Sequence, residues 1–191
     1  MSEHPIAAGK SSFDLIDPVL LFSELHLRKD TVLLDLACGS GRYSLYAARF
    51  VGPEGRIYAF DLWKEGIEHL AAAVAAAKIT QIHAGVADVS RKIPLADHSV
   101  DICLMATVLH DLVQENEQEG TLREVRRVVK PGGRLAVVEF VKVQGPPGPP
   151  RSIRISPAEL EEILSSYGFG AAGMADVGPY NYLGLFENLP V

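Results

Sequence analysis

Short apolar runs alternate with segments of helical periodicity along most of the chain. Residues 31–36 form an apolar run that ends near two glycines, and a helical pattern follows from about 42 to 50. The same order recurs with a strand-like run at 56–60 and helically spaced apolar residues from 67 to 74. Strands that alternate with helices predict a parallel sheet covered on both faces, and such sheets bind ligands outside the carboxyl ends of their strands.

The rest of the chain extends this pattern. We predict strands over 80–83, 100–106 and 134–141, helices near 17–25, near 122–129 and from 156, and a final hairpin over 169–177 and 182–187. Lys130-Pro131-Gly132-Gly133 is expected to end the helix before the fifth strand, because proline and glycine do not continue a helix. The predicted fold class is therefore α/β, a doubly wound sheet with helices on both faces.

Length and charge narrow the classes of function. The 191 residues, 48% of them apolar, suffice for one buried core, so we expect a single domain over 1–191. The formal net charge of −6 would repel a polyanion, which argues against a nucleic-acid partner. Cys38 and Cys103 stand in unrelated contexts, so we expect neither a disulfide nor a metal site, and a reducing, cytoplasmic location.

Targeting signals are not apparent in the sequence. The first ten residues lack the basic start and apolar run of a signal peptide. The longest apolar stretch, Leu70–Ala77, is far shorter than the roughly 20 residues of a membrane-spanning helix. We therefore expect neither export nor a membrane span.

The turn after the first strand indicates a ligand site. Gly39 and Gly41 let the backbone approach a ligand, although the pair is equally typical of an ordinary tight turn. Asp35 lies near the end of the strand, where its carboxylate would repel a pyrophosphate, and Ser44 takes the place of the third glycine of a dinucleotide motif. S-adenosylmethionine, which carries a sulfonium and an ammonium but no phosphate, fits Asp35 better than NAD does.

Two further carboxylates follow the next strands. Asp61 comes roughly twenty residues after the glycine turn, where a carboxylate can accept hydrogen bonds from both ribose hydroxyls. Asp88 follows the third strand, where it can bind an adenine amino group while the backbone of Val89 meets the ring. A turn or cap aspartate is an equally good interpretation of Asp88 alone. The specific signal is the ordered set of such residues at the ends of successive strands.

These motifs resemble the class I S-adenosylmethionine-dependent methyltransferases, in the branch that contains the ubiquinone and menaquinone C-methyltransferases. The resemblance covers residues 31–187 and is carried by the segments 35–41, 57–61, 93–101 and 124–133. It implies a Rossmann-like sheet of seven strands, mostly parallel, with an antiparallel last strand. It also implies S-adenosylmethionine as cofactor and S-adenosylhomocysteine as product.

The resemblance also implies which residues contact the cofactor. They are Asp35, Ala37, Gly39, Ser40, Gly41, Asp61, Leu62, Asp88, Val89 and Ala106. Ala37 departs from the family pattern, because many relatives have glycine there. We expect residues 1–30 to form a helical cover over this site.

Residues for the methyl acceptor are expected beyond the fourth strand, where an in-line approach and proton removal would take place. His110 lies there and is predicted to be a base or an acceptor contact, with a loop or helix-cap histidine as the alternative. Phe13 and Tyr43 either enclose the sulfonium or pack in the core. Arg151 and Arg154 either bind an anionic acceptor or are solvated.

The predicted function is S-adenosylmethionine-dependent transfer of a methyl group to a small molecule of unknown identity. Leu109, Phe140, Tyr180 and Tyr182 lie near the expected pocket and favour a compact hydrophobic acceptor. One alternative is a module that binds S-adenosylmethionine without catalysis. Another is an NAD-dependent oxidoreductase, which would share the fold and Asp61. The sequence does not indicate an oligomeric state.

Overall fold

A computed structural model describes residues 9–190 of the chain, which form a central sheet flanked by helices. The strands are β1 (Val32–Leu36), β2 (Arg56–Asp61), β3 (Ile82–Val86), β4 (Val100–Ala106), β5 (Val129–Phe140), β6 (Phe169–Asp176) and β7 (Asn181–Asn188). The helices are α1 (Pro18–Leu25), α2 (Arg42–Ala47), α3 (Lys64–Ala76), α4 (Leu109–Glu115), α5 (Gln118–Val128) and α6 (Pro157–Ser165), and a short 3-10 turn, Phe13–Leu15, precedes them.

The sheet has the strand order β3-β2-β1-β4-β5-β7-β6. All pairs from β3 across to β5 are parallel, while β7 runs antiparallel to both β5 and β6. The expected seven-stranded sheet with an antiparallel last strand is confirmed. Strand order reverses between β1 and β4, and ligands of doubly wound sheets bind at such a reversal.

Helices cover both faces of the sheet, as predicted. Helices α1 to α3 contribute Phe22, Ala47 and Leu70 to one apolar core, and α4 to α6 contribute Leu109 and Leu160 among others to the second. Each core also contains alternate residues of the central strands, because successive side chains of a strand point to opposite faces. Among the helices within residues 9–190, none combines the length and apolar composition that crossing a membrane requires.

Two helix starts follow the capping signals of the sequence. The Asp17 side chain accepts hydrogen bonds from the backbone of Val19 and Leu20, which begins α1. Ser156 and Glu159 form the reciprocal capping box that begins α6. Both interactions satisfy backbone N–H groups that the first turn of a helix leaves without partners.

The structure differs from the predicted elements in three main places. Strand β3 spans Ile82–Val86 and not 80–83. Helix α4 was not expected as a separate helix, since it has only 7 residues and no side-chain cap on its own N-cap residue. Strand β5 begins at Val129, directly after α5, and not at Arg134. Gly132 adopts a φ of 74° and the pairing with β4 shifts register there, so the expected turn is a bulge within the strand.

Left-handed backbone conformations cluster where β1 and β4 end. After β1 they occur at Ala37 (φ 57°), Gly39 (φ 56°) and Gly41 (φ 74°), and after β4 at Thr107 (φ 55°). Glycine adopts this conformation freely, whereas alanine and especially a β-branched threonine are strained in it. The strain therefore lies at the reversal of strand order, where backbone strain often marks a functional site.

The strain at Ala37 predicts the effect of restoring glycine. A left-handed conformation costs an L-residue roughly 1–2 kcal/mol, which glycine avoids. Against this, glycine makes the unfolded chain more flexible, which lowers the free energy of unfolding by about 0.4–1 kcal/mol. We expect Ala37→Gly to leave the free energy of unfolding unchanged or to raise it by up to about 1 kcal/mol. The matched control, Ala71→Gly in the exposed middle of α3, should lower it by about 1 kcal/mol. Urea denaturation measures both variants, and equal losses in the two would contradict strain at Ala37.

Candidate active site

The carboxyl ends of the central strands bring the predicted cofactor residues to one edge of the sheet. Asp35 in β1 pairs with Ala59 of β2 and with Leu104 of β4. Asp61 ends β2 beside Val86 of β3. The turns that carry Gly39, Gly41 and Asp88 and the last residue of β4, Ala106, follow at the same edge. One edge of the sheet therefore carries the predicted cofactor residues.

Asp35 is a buried carboxylate with one free oxygen. Its side chain faces α2, where the hydroxyl of Ser44 donates to Oδ2 at 2.5 Å. The second oxygen, Oδ1, is buried and has no hydrogen-bond partner. Burial, which outweighs the hydrogen bonds from Ser44, raises the pKa of Asp35 to about 6. A buried carboxylate oxygen without a partner favours a cationic ligand group.

Asp61 holds the glycine turn in place. Its Oδ2 accepts the backbone N–H of Gly39 at 2.7 Å, and its Oδ1 accepts that of Trp63 at 2.7 Å. Each carboxylate oxygen can accept more than one hydrogen bond, so both keep capacity for ligand hydroxyls. The arrangement fits a ribose that binds beside the turn.

The two glycines share a left-handed backbone but differ in what a side chain would meet. A Cβ on Gly41 would lie 2.4 Å from a methyl of Leu70, so close packing against α3 requires glycine there. A Cβ on Gly39 would meet no atom within 4 Å and would point into open space. Gly39 thus leaves room for a ligand beside the backbone, while Ala37 and Ser40 flank it in the same turn. This space and the free oxygen of Asp35 fit the amino-acid end of S-adenosylmethionine.

The end of β3 is built as a tight turn next to exposed apolar side chains. Asp88 accepts the backbone N–H of Ser90 at 3.2 Å and its hydroxyl at 2.6 Å, which is the turn role considered for this residue. Val89 is buried in the core. Leu62 and Val86, by contrast, are 54% and 52% exposed at the ends of neighbouring strands. These two side chains offer an apolar surface of the kind that a base ring covers.

The segment before α1 is bound to the ends of β1 and β4. The Ser12 hydroxyl lies 2.8 Å from that of Tyr43 and accepts a hydrogen bond from Thr107 at 2.9 Å. Phe13 packs edge-on against Tyr43 with ring centroids 5.0 Å apart. The side chains of Asp14 and Arg42 form an ion pair. Ser12 and Tyr43 are both buried, so this contact is a packed one.

His110 is held by a buried glutamate. It lies in the first turn of α4 and is 5% exposed, and its Nδ1 is 2.7 Å from Oε2 of Glu139 in β5. The other oxygen of Glu139 accepts the backbone N–H of His110 at 3.2 Å. Burial lowers the pKa of His110, but Glu139 and then Asp111 outweigh it, so the pKa lies above its usual value. His110 is therefore a helix residue with a fixed ring, and not a loop histidine.

Arg154 is not solvated, which corrects one of the two expectations for it. Only 2% of the residue is exposed, and its guanidinium donates to the carbonyl oxygens of Val141, Gly145, Pro147 and Pro149. These bonds hold the proline-rich segment after β5 in one shape. They also occupy all but one of the guanidinium N–H groups, which leaves little capacity for an anionic ligand. Arg151 is exposed, as expected of a solvated residue.

The apolar residues suggested for the acceptor are mostly part of the core. Leu109, Phe140 and Tyr182 are buried, and the Tyr182 hydroxyl donates to the carbonyl of Ile155. Tyr180 is 40% exposed but lines a different cavity, between the turn after β6 and the segment before α1. This set therefore does not define an acceptor pocket.

Three residues of the site were missed in the sequence. Ser44 was considered only as a missing glycine, yet its hydroxyl fixes Asp35. Glu139 is a single carboxylate within the apolar run of β5, and a buried charge of that kind is the signal that could have found it. Thr107 has no sequence signal, because its left-handed backbone depends on the tertiary structure.

Comparison with known proteins places this geometry in a family. The profile of the methyltransferase domain matches residues 34–137, more than half of the chain. A ubiquinone/menaquinone biosynthesis C-methyltransferase UbiE from Azotobacter vinelandii is 29% identical over 167 residues, which cover 82% of this chain and 58% of that protein. The enzyme of the same name from Klebsiella pneumoniae is 33% identical over 120 residues, 61% of this chain and 45% of that protein. The chain thus spans about half the length of these two relatives.

Solved structures agree on the fold. A SAM-dependent methyltransferase from Aquifex aeolicus superposes with a TM-score of 0.85 at 28% identity and covers 95% of both chains. The [4+2]-cyclase SpnF superposes with a TM-score of 0.76 at 20% identity, over 91% of this chain and 80% of that one, which shows the shared fold alone. From the profile match, the relatives and the site geometry, the chain belongs to the methyltransferase domain family, among the class I S-adenosylmethionine-dependent methyltransferases.

Proposed function

We propose that this protein binds S-adenosylmethionine at the carboxyl ends of β1, β2 and β4 and transfers its methyl group to a small molecule. The observation that carries this proposal is the buried oxygen of Asp35 without a partner, four residues before the open position at Gly39. A cation that donates hydrogen bonds satisfies that oxygen, and the ammonium of the cofactor is such a group.

Each part of the proposed site would receive one part of the cofactor. The amino-acid end would lie against Asp35 and the turn of Ala37, Gly39, Ser40 and Gly41, and the ribose against Asp61. The adenine would lie between the apolar surface of Leu62 and the turn of Asp88 and Val89, with Ala106 near the sulfonium. The free lone pairs of Asp61 and the exposure of Leu62 support these assignments.

When bound, the cofactor supplies a methyl group on a positively charged sulfur. The protein's part is to hold the donor and the acceptor in line and to exclude water. His110 is the proposed base, and its fixed ring beyond β4 supports that role. Phe13 and Tyr43 would close the pocket near the sulfonium, which an aromatic ring attracts.

The segment around the 3-10 turn is the proposed cover of the site. Ser12 connects Tyr43 of α2 with Thr107 after β4, so the cover spans the reversal of strand order. The ion pair of Asp14 with Arg42 adds a second attachment. Residues 1–8 of the expected cover lie outside the described residues. We propose that this cover retains the cofactor during turnover.

The acceptor is proposed to be a small molecule, processed in the cytoplasm without a nucleic-acid partner. The net charge of −6 and two free, buried cysteines support this setting. The names of the UbiE relatives suggest quinone precursors, but those names describe longer proteins.

Two alternative functions differ from methyl transfer either in the ligand that binds or in the absence of turnover. A binding module would hold the cofactor without transferring methyl groups, and the cyclase SpnF illustrates that this fold is not restricted to one chemistry. An NAD-dependent oxidoreductase would place a pyrophosphate near the buried carboxylate of Asp35, which disfavours it.

Calorimetric titration with S-adenosylmethionine, S-adenosylhomocysteine and NADH tests the ligand. We expect both adenosyl ligands to bind and NADH not to bind. Asp61→Asn should weaken the binding of S-adenosylhomocysteine by on the order of 10- to 100-fold, because hydrogen bonds to a charged group are lost. The matched control Asp30→Asn, at an exposed carboxylate before β1, should bind as the wild type does. Binding of NADH without the adenosyl ligands would overturn the proposal.

The raised pKa of Asp35 predicts how binding depends on pH. The cofactor's ammonium requires the ionised carboxylate, whose pKa is about 6, so binding of S-adenosylhomocysteine should be constant above about pH 7. Below pH 6 the carboxylate must first lose a proton, and affinity should fall by up to about tenfold per pH unit. Asp35→Asn should bind more weakly and show a flatter profile between pH 5 and pH 7. An identical slope in both proteins would exclude Asp35 as the ammonium partner.

The cover predicts a kinetic effect. Ser12→Ala removes the hydroxyl that joins Tyr43 to Thr107, and each lost hydrogen bond is worth about 0.5–1.5 kcal/mol. We expect S-adenosylhomocysteine to dissociate roughly 3- to 10-fold faster in stopped-flow measurements. Ser23→Ala, at an exposed position of α1, is the control and should leave the rate unchanged. A wild-type dissociation rate in Ser12→Ala would show that the segment does not retain the ligand.

A further inference from the structure

The pair of Glu139 and His110 is more than a contact between neighbouring elements. Glu139 is fully buried, and both of its carboxylate oxygens bind His110, one at Nδ1 and one at the backbone N–H. A buried carboxylate is unfavourable unless it is well bonded, so the glutamate strongly disfavours other rotamers of the histidine.

This contact also determines which ring nitrogen carries the proton. An ionised carboxylate only accepts hydrogen bonds, so Nδ1 of His110 must be the protonated nitrogen that donates to Glu139. In the neutral ring Nε2 then has a lone pair and accepts protons. Nε2 lies 3.6 Å from Oδ1 of Asp111, which adds a second negative charge beside the ring. Proton uptake at Nε2 is therefore favoured by charges at both ends of the imidazole.

His110 borders a cavity of about 350 Å³ between α4, α6 and the segment after β5. Apolar side chains on its walls are Val113, Ile153, Ile155 and Ile163. Ligand pockets start at about 300 Å³, and a cavity of about 150 Å³ already accepts benzene, so there is room for a molecule of one or two rings. The backbone bonds of Arg154 hold the wall that follows β5.

His110 and Glu139 lie in positions that suit methyl transfer from a cofactor bound at the reversal of strand order. His110 lies four residues after the end of β4, and Glu139 is the penultimate residue of β5. Both strands end at the edge that carries Asp35 and Asp61, with β4 directly beside β1. The cavity therefore lies on the β4 and β5 side of the proposed cofactor site.

The charges around the cavity disfavour an anionic acceptor. Two carboxylates line it, Glu159 and Glu162 of α6, and two more, Asp111 of α4 and Glu139 of β5, contact the ring of His110 in its wall. Two cations are close, but Lys142 is bonded to Glu159 and the guanidinium of Arg154 to backbone carbonyls. An uncharged molecule that donates a hydrogen bond to Nε2 matches this lining better than the anion considered for Arg154.

We propose that Glu139 is a positioning residue that holds His110 as the proton acceptor of the reaction, and that the methyl acceptor binds in this cavity as an uncharged hydrogen-bond donor. The inference rests on the proposed methyl transfer. In the step, Nε2 takes the proton from the acceptor's X–H group as X bonds to the methyl carbon. The carbon–sulfur bond breaks, and its electron pair stays on sulfur. Glu139 and Asp111 balance the charge of the imidazolium.

The test is a nitrogen-15 NMR titration of histidine-labelled protein saturated with S-adenosylhomocysteine, with the signal assigned through His110→Gln. In the wild type we expect the neutral ring of His110 to carry its proton on Nδ1 and its pKa to lie above the usual histidine value. Glu139→Gln should lower the midpoint by about one to two pH units and populate the other tautomer. The control Glu161→Gln, at an exposed position of α6 that does not line the cavity, should keep the wild-type tautomer. A wild-type ring protonated on Nε2 would overturn the proposal without any variant.

Small probes test the cavity in protein that also carries carbon-13 in its isoleucine methyl groups. Phenol should shift the Nε2 signal of His110 and the methyl signals of Ile153 and Ile163, while benzoate of similar size should not. If S-adenosylhomocysteine binds but phenol leaves these signals unchanged, or benzoate shifts them equally, the cavity proposal is wrong and the cofactor site stands. If S-adenosylhomocysteine does not bind, the proposed function itself fails, so the two failures are distinguishable.

Discussion

The buried carboxylate of Asp35 is the interaction on which the rest of the site depends. Burial of this group opposes its ionisation, and the single hydroxyl of Ser44 satisfies only one of its oxygens. We therefore propose that the fold keeps a negative site at the end of β1 that a cation completes. The glycine turn next to it gives access, since Gly39 leaves open space and Asp61 fixes its backbone. A phosphate ligand would be repelled at the same place.

Two buried carboxylates point to opposite faces of the sheet. Asp35 points to the face covered by α1 to α3, where Ser44 holds it. Glu139 points to the face covered by α4 to α6, where it holds His110. The left-handed backbone at Ala37 and Thr107 lies between them, at the reversal from β1 to β4. In the proposed mechanism Asp35 positions the cofactor and Glu139 positions the base.

Local signals explain how much of the structure could be predicted. The period of apolar residues places the strands and most helices, and the capping residues Asp17 and Ser156 mark helix starts. The order of Asp35, the glycines and Asp61 indicates the cofactor edge for the same reason, because these residues follow strands directly. Contacts between side chains distant in sequence could not be predicted. Glu139 binds His110, which is 29 residues away in the chain. Arg154 is buried because its guanidinium donates to backbone carbonyls, and no local pattern indicates these contacts.

A crystal structure of the protein with S-adenosylhomocysteine would show whether Asp35 binds the cofactor. We expect the ammonium of the ligand within hydrogen-bonding distance of Oδ1 of Asp35 and both ribose hydroxyls on Asp61, with the sulfur directed toward the cavity beside His110. A ligand bound elsewhere, or one whose ammonium is solvated while Oδ1 stays without a partner, would contradict this expectation.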